Sequence, residues 1–132
     1  RIGIQHPIDM QAIWGVISKT GSVRVSTSGN YRQPLVIQGH AFYHIFSPET
    51  GKPVSEKVLG VTTASPDQDH SSAMLDAAAT AITIMGQKKG LKLSKKLGIQ
   101  ALVLTRDEKG NIMEHHTAAV ADLYRRQPGG RR

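Results

Sequence analysis

Cysteine is absent from the chain, which excludes a disulfide framework, a thiolate zinc site and a thiol nucleophile. Aromatic residues are scarce at 5%, and none lies between Phe46 and Tyr124. A nucleic-acid groove, which stacks bases on aromatic rings between basic side chains, has little to work with. No apolar run nears the roughly 18 residues of a membrane-spanning helix, and Arg1 to Pro7 is followed by no hydrophobic signal segment. Internal repeats and low-complexity stretches are missing as well. What is there is an ordinary globular composition, 132 residues with 39% hydrophobic and 20% charged. Such a chain buries roughly two-thirds of its unfolded surface, enough for a core without metal or disulfide. It opens on Arg1 and a strand-like pattern rather than on methionine, as a piece of something longer would.

Lysine and arginine number 17 against 10 aspartates and glutamates, a net charge of +7. Lys88, Lys89, Lys92, Lys95, Lys96 and Arg125, Arg126, Arg131, Arg132 form two clusters holding nine of those 17 basic residues. Leu91, Leu93 and Leu97 mark an apolar face beside the lysines, so the first cluster reads as the wet side of a helix. Residues 125–132 read as a basic flexible tail. No nucleic-acid partner is expected.

β-Branched residues over 13–18 and 23–28, with Thr20-Gly21 between them, predict a hairpin. Leu35 to Ile37 and Ala41 to Phe46 around Gln38-Gly39-His40 predict another. Ser47 to Pro53, with two prolines and a glycine, predicts a tight loop closing it. Val58 to Thr63 reads as a strand. Ser65 to Asp69 supplies helix-start chemistry, and His70 to Met85 runs without proline or glycine to Gly86. A second helix from about Lys88 to Leu97 stops at Gly98. Ile99 to Thr105 and Asn111 to His115 flank a charged turn. The fold class is therefore α/β of the α+β type, a mostly antiparallel sheet packed on a buried central helix.

Asp76 is the only carboxylate in the long helix, and Thr80 follows at i+4 on the same face, with Thr83 at i+7. A carboxylate among alanines needs donors, a cation or water. Two readings are open: an aspartate bonded to Thr80 or a nearby amide, and a hard-cation site, since carboxylate plus hydroxyl oxygen suits Mg²⁺. Of six histidines, His115 and His116 are adjacent and point apart on a strand, a poor metal pair. His44 lies in the apolar Tyr43 to Phe46 stretch beside the proline-bounded loop. It is either a structural strand histidine or one placed for acid/base work. Thr50-Gly51-Lys52 lacks the rest of a phosphate loop, and Ser26 and Ser28 lack the glycines of a nucleophile elbow.

Three ordered segments go further. Ser26-Thr27-Ser28-Gly29-Asn30-Tyr31-Arg32, then Tyr43 to Pro53, then Leu75 to Gly86 resemble consecutive blocks of the FAD:protein FMN transferase (ApbE) family. The family patterns are T-S-G-x-Y-x-R, H-I-x-D-P-x-T-G-x-P and D-A-x-A-T-A-x-x-x-x-G. The resemblance implies that residues 1–124 are the C-terminal half of such a domain, and that the N-terminal half of the same domain is a missing partner. It implies an Mg²⁺-dependent flavin transferase that moves FMN from FAD to a threonine of a target flavoprotein and releases AMP. On this likeness Asp76 and Thr80 match the metal ligands and His44 the acid/base residue. Ile45 and Phe46, with Ser28, Gly29 and Tyr31, would contact the flavin substrate. Ser47 stands where the family has aspartate, removing a carboxylate near His44. Family members are often periplasmic or membrane-attached, but this sequence carries no segment that fixes its compartment. The rival readings are an FAD pyrophosphatase, in which water replaces the threonine, and a non-catalytic flavin-binding remnant.

Overall fold

A computed structural model describes residues 1–30, 35–38, 40–42, 44–54, 57–66 and 69–127. The strands are β1 (Ile2–Gln5), β2 (Ile13–Ile17), β3 (Val23–Gly29), β4 (Leu35–Ile37), β5 (His40–Phe42), β6 (Val58–Pro66), β7 (Gln100–Arg106), β8 (Ile112–His116) and β9 (Tyr124–Arg126). One helical element, α1 (Ser72–Leu97), separates β6 from β7, and a 3₁₀ turn, η1 (Ala118–Asp122), precedes β9. The strands form three sheets, β1-β2-β9, β3-β6-β7-β8 and β4-β5, and every pairing between them is antiparallel. The α+β expectation holds.

The four-stranded sheet is the middle layer. β7 reads Ala101-Leu102-Val103-Leu104 and is buried throughout, because both of its faces are covered. Ala101 and Val103 point one way, with Val61, onto Ala79 and Ile82 of α1. Leu102 and Leu104 point the other way and share a cluster with Ile4, Trp14, Ile17, Val120 and Tyr124. This alternation is what a strand sandwiched between two layers requires.

α1 is folded in two. Gly86 has φ 75° and ψ 171°, a conformation that only glycine adopts readily. A straight helix of 26 residues would run about 39 Å, yet His70 Nε2–H donates to the Leu97 carbonyl at 2.9 Å. A side chain at Gly90 would collide with Ile82, so the two arms lie against one another. The sequence signals hold here: the first arm ends at Gly86 and the second at Gly98, whose φ of 70° makes the left-handed cap. Ser71 caps the start, accepting from the Met74 amide at 3.2 Å. The first arm is buried through Leu75, Ala78, Ala79, Ile82 and Thr83, while Ala73, Asp76 and Ala77 face outward. The central helix is thus buried along one face, not all round.

Three expectations are corrected. β2 and β3 do not form a hairpin: β2 pairs with β1 and β9, and β3 pairs with β6. Trp14 explains the separation, since its fully buried ring belongs to the core beneath the middle sheet. Second, β5 ends at Phe42, and His44 lies in a bend rather than in a strand. Third, Arg125 and Arg126, read as the start of the tail, belong to β9, where they pair with Val16 and Gly15.

Candidate active site

Four residues along a helix and two along a strand advance by similar lengths: about 6.0 Å and about 6.6 Å. β3 and the first arm of α1 use this match. Ser26 Oγ donates to Asp76 Oδ1 at 2.8 Å, and two residues along, Ser28 Oγ and Thr80 Oγ1 lie 3.0 Å apart. Thr80 Oγ1 donates to the Asp76 backbone carbonyl at 3.2 Å. Asp76 therefore does not take the Thr80 hydroxyl on its carboxylate. Its outward-facing side chain meets water and one serine. Thr63, the register partner of Ser26, fixes strand to helix from within by donating to the Leu75 carbonyl at 2.9 Å. Thr83, at i+7, turns into the core and bonds the Ala79 carbonyl at 2.9 Å.

This seam is one wall of a cleft of about 940 Å³. Ser28, Gly29, His44, Ile45, Phe46 and Thr80, six of the eight residues singled out from sequence, line it. Asp76 adjoins through its bonds to Ser26 and Thr80. Tyr31 lies outside the described residues. Gly3, Gln5 and Ile13 of the first sheet, with Thr27 and Ile84, also line the cleft and were not singled out. Nor was Ser26, although the Ser26-x-Ser28 spacing set against Asp76-x-x-x-Thr80 carries the signal.

His44 is exposed, Ile45 buried, and Phe46 is 55% exposed. A ring of that size standing in water beside a cleft is suited to cover a flat ligand. The loop behind these residues holds its shape by backbone bonds. Val54 N–H donates to the Ile45 carbonyl at 3.0 Å, Ser47 N–H to that of Lys52 at 2.8 Å, and Gly51 N–H to that of Ser47 at 2.8 Å. A carboxylate at position 47 is not needed for that geometry.

The donors at the seam are all oxygens: the Asp76 carboxylate and carbonyl, and the hydroxyls of Thr80, Ser26 and Ser28. Such a set suits Mg²⁺ and not zinc or copper, which favour nitrogen and sulfur. Among the described residues no three of His, Cys, Asp and Glu gather elsewhere as a metal cluster. One carboxylate with neutral oxygens is the lean protein share that Mg²⁺ takes when phosphates and water complete its shell.

The described residues contain no helix long and apolar enough to cross a membrane. The ApbE family model matches residues 1–103. The FAD:protein FMN transferase of Vibrio cholerae is 30% identical over 111 residues, covering 83% of this chain and 32% of that protein. That of Escherichia coli is 28% identical over 108 residues, covering 81% and 29%. The chain thus spans about a third of the length of these curated relatives. Among solved structures, the flavin transferase ApbE of Vibrio cholerae superimposes with a TM-score of 0.71 at 28% identity, covering 93% of this chain and 37% of that one. The ApbE protein of Thermotoga maritima gives 0.71, 28%, 92% and 37%. A family match over most of the chain, and a shared fold with that family's solved members, show that this chain belongs to the ApbE family.

Proposed function

We propose that this chain supplies the metal-binding and proton-transfer wall of an Mg²⁺-dependent FAD:protein FMN transferase, with an acceptor threonine on a target flavoprotein and AMP as the second product. The observation that carries the reading is the single cleft that gathers His44, Phe46, Ser28, Gly29 and Thr80 beside Asp76, paired to Ser26. The relatives are FAD:protein FMN transferases, and the proposed reaction is theirs. Tyr31 belongs to the same flavin-contacting set in this reading.

The acceptor hydroxyl attacks the phosphorus of the FMN half of FAD. The P–O bond to the AMP half breaks, AMP departs with the bridging oxygen, and the hydroxyl proton passes to a base. His44 is the base: an exposed imidazole lining the cleft offers a ring nitrogen to the hydroxyl proton. Asp76 and Thr80 would hold Mg²⁺, which supplies charge neutralisation for the pyrophosphate. Ser26 and Ser28 fix the orientation of those two ligands. Phe46 and Ile45 form the apolar side on which the flavin ring lies, and Gly29, without a side chain, leaves room for its close approach.

Exposure of His44 also favours a second reading, FAD pyrophosphatase, since water reaches the same base. One experiment separates the readings. This segment is exchanged for the matching third of the Vibrio cholerae relative, and AMP release from FAD is followed together with flavin fluorescence retained on a threonine-bearing acceptor. AMP with flavin on the acceptor supports the transferase, and AMP with free FMN the hydrolase. Neither, in a folded hybrid, overturns both and leaves a non-catalytic flavin-binding remnant. In the active hybrid Asp76→Ala lowers turnover about a hundredfold or more, and unchanged turnover would remove the metal assignment. Independently, Mg²⁺ added to this chain shifts the NMR signals of Asp76 and Thr80, and Asp76→Ala abolishes the response.

A further inference from the structure

Ile84 lines the first cleft and the next residue, Met85, lines another. This second cavity, about 490 Å³, lies on the helix side of the middle sheet where α1 folds back, and is closed by the start of β6, the end of β7 and β8. None of the residues assigned to flavin transfer lies in it. Its apolar surface comes from Val58, Met85 and Met113. Met85 and Met113 are 42% and 45% exposed, polarizable side chains standing in water at a concave surface.

Lys57, Lys88 and Arg106 line it and give it positive charge. The carboxylate beside them, Asp107, offsets part of that charge and leaves the cations in excess. Asp107 Oδ1 accepts from the Lys109 and Asn111 amides at 2.9 and 2.8 Å, and Oδ2 from Asn111 Nδ2 at 3.0 Å, so both oxygens are engaged in their own turn. At the wall Thr105 Oγ1 and His115 Nε2 are 2.9 Å apart, a hydroxyl and an imidazole within a positively charged hollow.

We propose that this second cleft binds a small organic anion, with a flat apolar body on Val58, Met85 and Met113 and a phosphate or carboxylate head between Lys88 and Arg106. The proposal does not depend on the transferase reading. Its volume falls in the range of small-molecule sites, methionine sulfur favours aromatic rings, and guanidinium matches both kinds of head. Burial, and then His116, lower the proton affinity of His115. Lys57, Lys88 and Arg106 line the same cavity, where positive charge opposes protonation of the ring and the Asp107 carboxylate favours it. An anion seated there favours the protonated ring and raises its titration midpoint.

The test is NMR titration of the chain with AMP, with benzoate and with adenosine, which lacks the charged head. The signals read are the His115 ring and the Met85 and Met113 methyls. AMP or benzoate shifts all three and raises the His115 midpoint, and adenosine binds at least about tenfold more weakly, the loss of one charge-assisted contact. Preference for AMP identifies a phosphate ligand, and preference for benzoate a carboxylate. Arg106→Gln weakens binding about tenfold, and Lys88→Gln, at an exposed position, serves where the first variant fails to fold. Shifts confined to His44 and Thr80, an equal response to adenosine, no response to either anion, or binding unchanged in both variants would overturn the proposal.

Discussion

Ser26 of β3 and Asp76 meet at the surface, Thr63 of β6 and Leu75 inside, and the two bonds tie neighbouring strands to one helix. The exposed bond contributes little to stability, so Ser26→Ala should cost less than about 1 kcal/mol while weakening Mg²⁺ binding to the chain several-fold, as read by calorimetry. Thr63 is fully buried and donates to the Leu75 carbonyl. Thr63→Val removes the side-chain donor while the carbonyl keeps its helix bond, and should cost about 0.5–1.5 kcal/mol, measured by urea unfolding. Asp107 gives a pH signature. Hydrogen bonds from the Asn111 side chain and backbone, then from the Lys109 and Gly110 amides, hold its carboxyl below the ordinary value. Its folded-state pKa is depressed, so its contribution is complete above the ordinary carboxylate range and disappears as pH falls through the depressed value. Asp107→Asn should lose that contribution at neutral pH, leave stability below the depressed value little changed, and so flatten the acid limb of the profile. At this scale Asp76 and Thr80 were legible because i and i+4 share a helix face. Ser26 was not, because its partner lies 50 positions away and no local period points to it.

At the scale of elements the punctuation is glycine. Gly86 occupies a conformation closed to side chains, and Gly86→Ala should destabilise by about 1–3 kcal/mol and lower the unfolding midpoint in a thermal scan. The helix ends were readable since Gly86 and Gly98 each interrupt an otherwise proline-free run. The loop at Ser47 to Pro53 was readable for the same kind of reason: proline and glycine restrict the local backbone. Strand partners were not. Thr20-Gly21 marks a reversal, and Gly21 indeed has φ 90°, but a reversal does not say which strand the chain rejoins. That is decided by burial: Trp14 and Ile17 need the core under the middle sheet, while the small side chains of Ser26 and Ser28 fit the close approach of α1.

For the whole molecule, β9, the last strand, closes the lower layer. Tyr124 of β9 is buried beside Trp14, Gly15 leaves the space its ring fills, and the Arg126 guanidinium lies 4.3 Å over the Trp14 ring. Tyr124→Ala should cost about 3–5 kcal/mol, as other buried aromatic truncations do, visible as a lower urea midpoint. Sequence patterning missed β9 because three residues, two of them arginine, resemble a tail until Trp14 is seen to need a cover. A last consequence follows from the place of the helical hairpin. β6 and β7 are antiparallel neighbours in direct register, and the link between them is all of α1. In topological terms α1 is an oversized turn, tied at its base where His70 meets Leu97. Adding one turn to each arm would carry the tip outward by about 5.4 Å without disturbing the ladder beneath or the seam of Asp76 and Thr80. Length differences between homologous chains should therefore collect at the tip, which can be redrawn by insertion while the Asp76 and Thr80 seam stays in place.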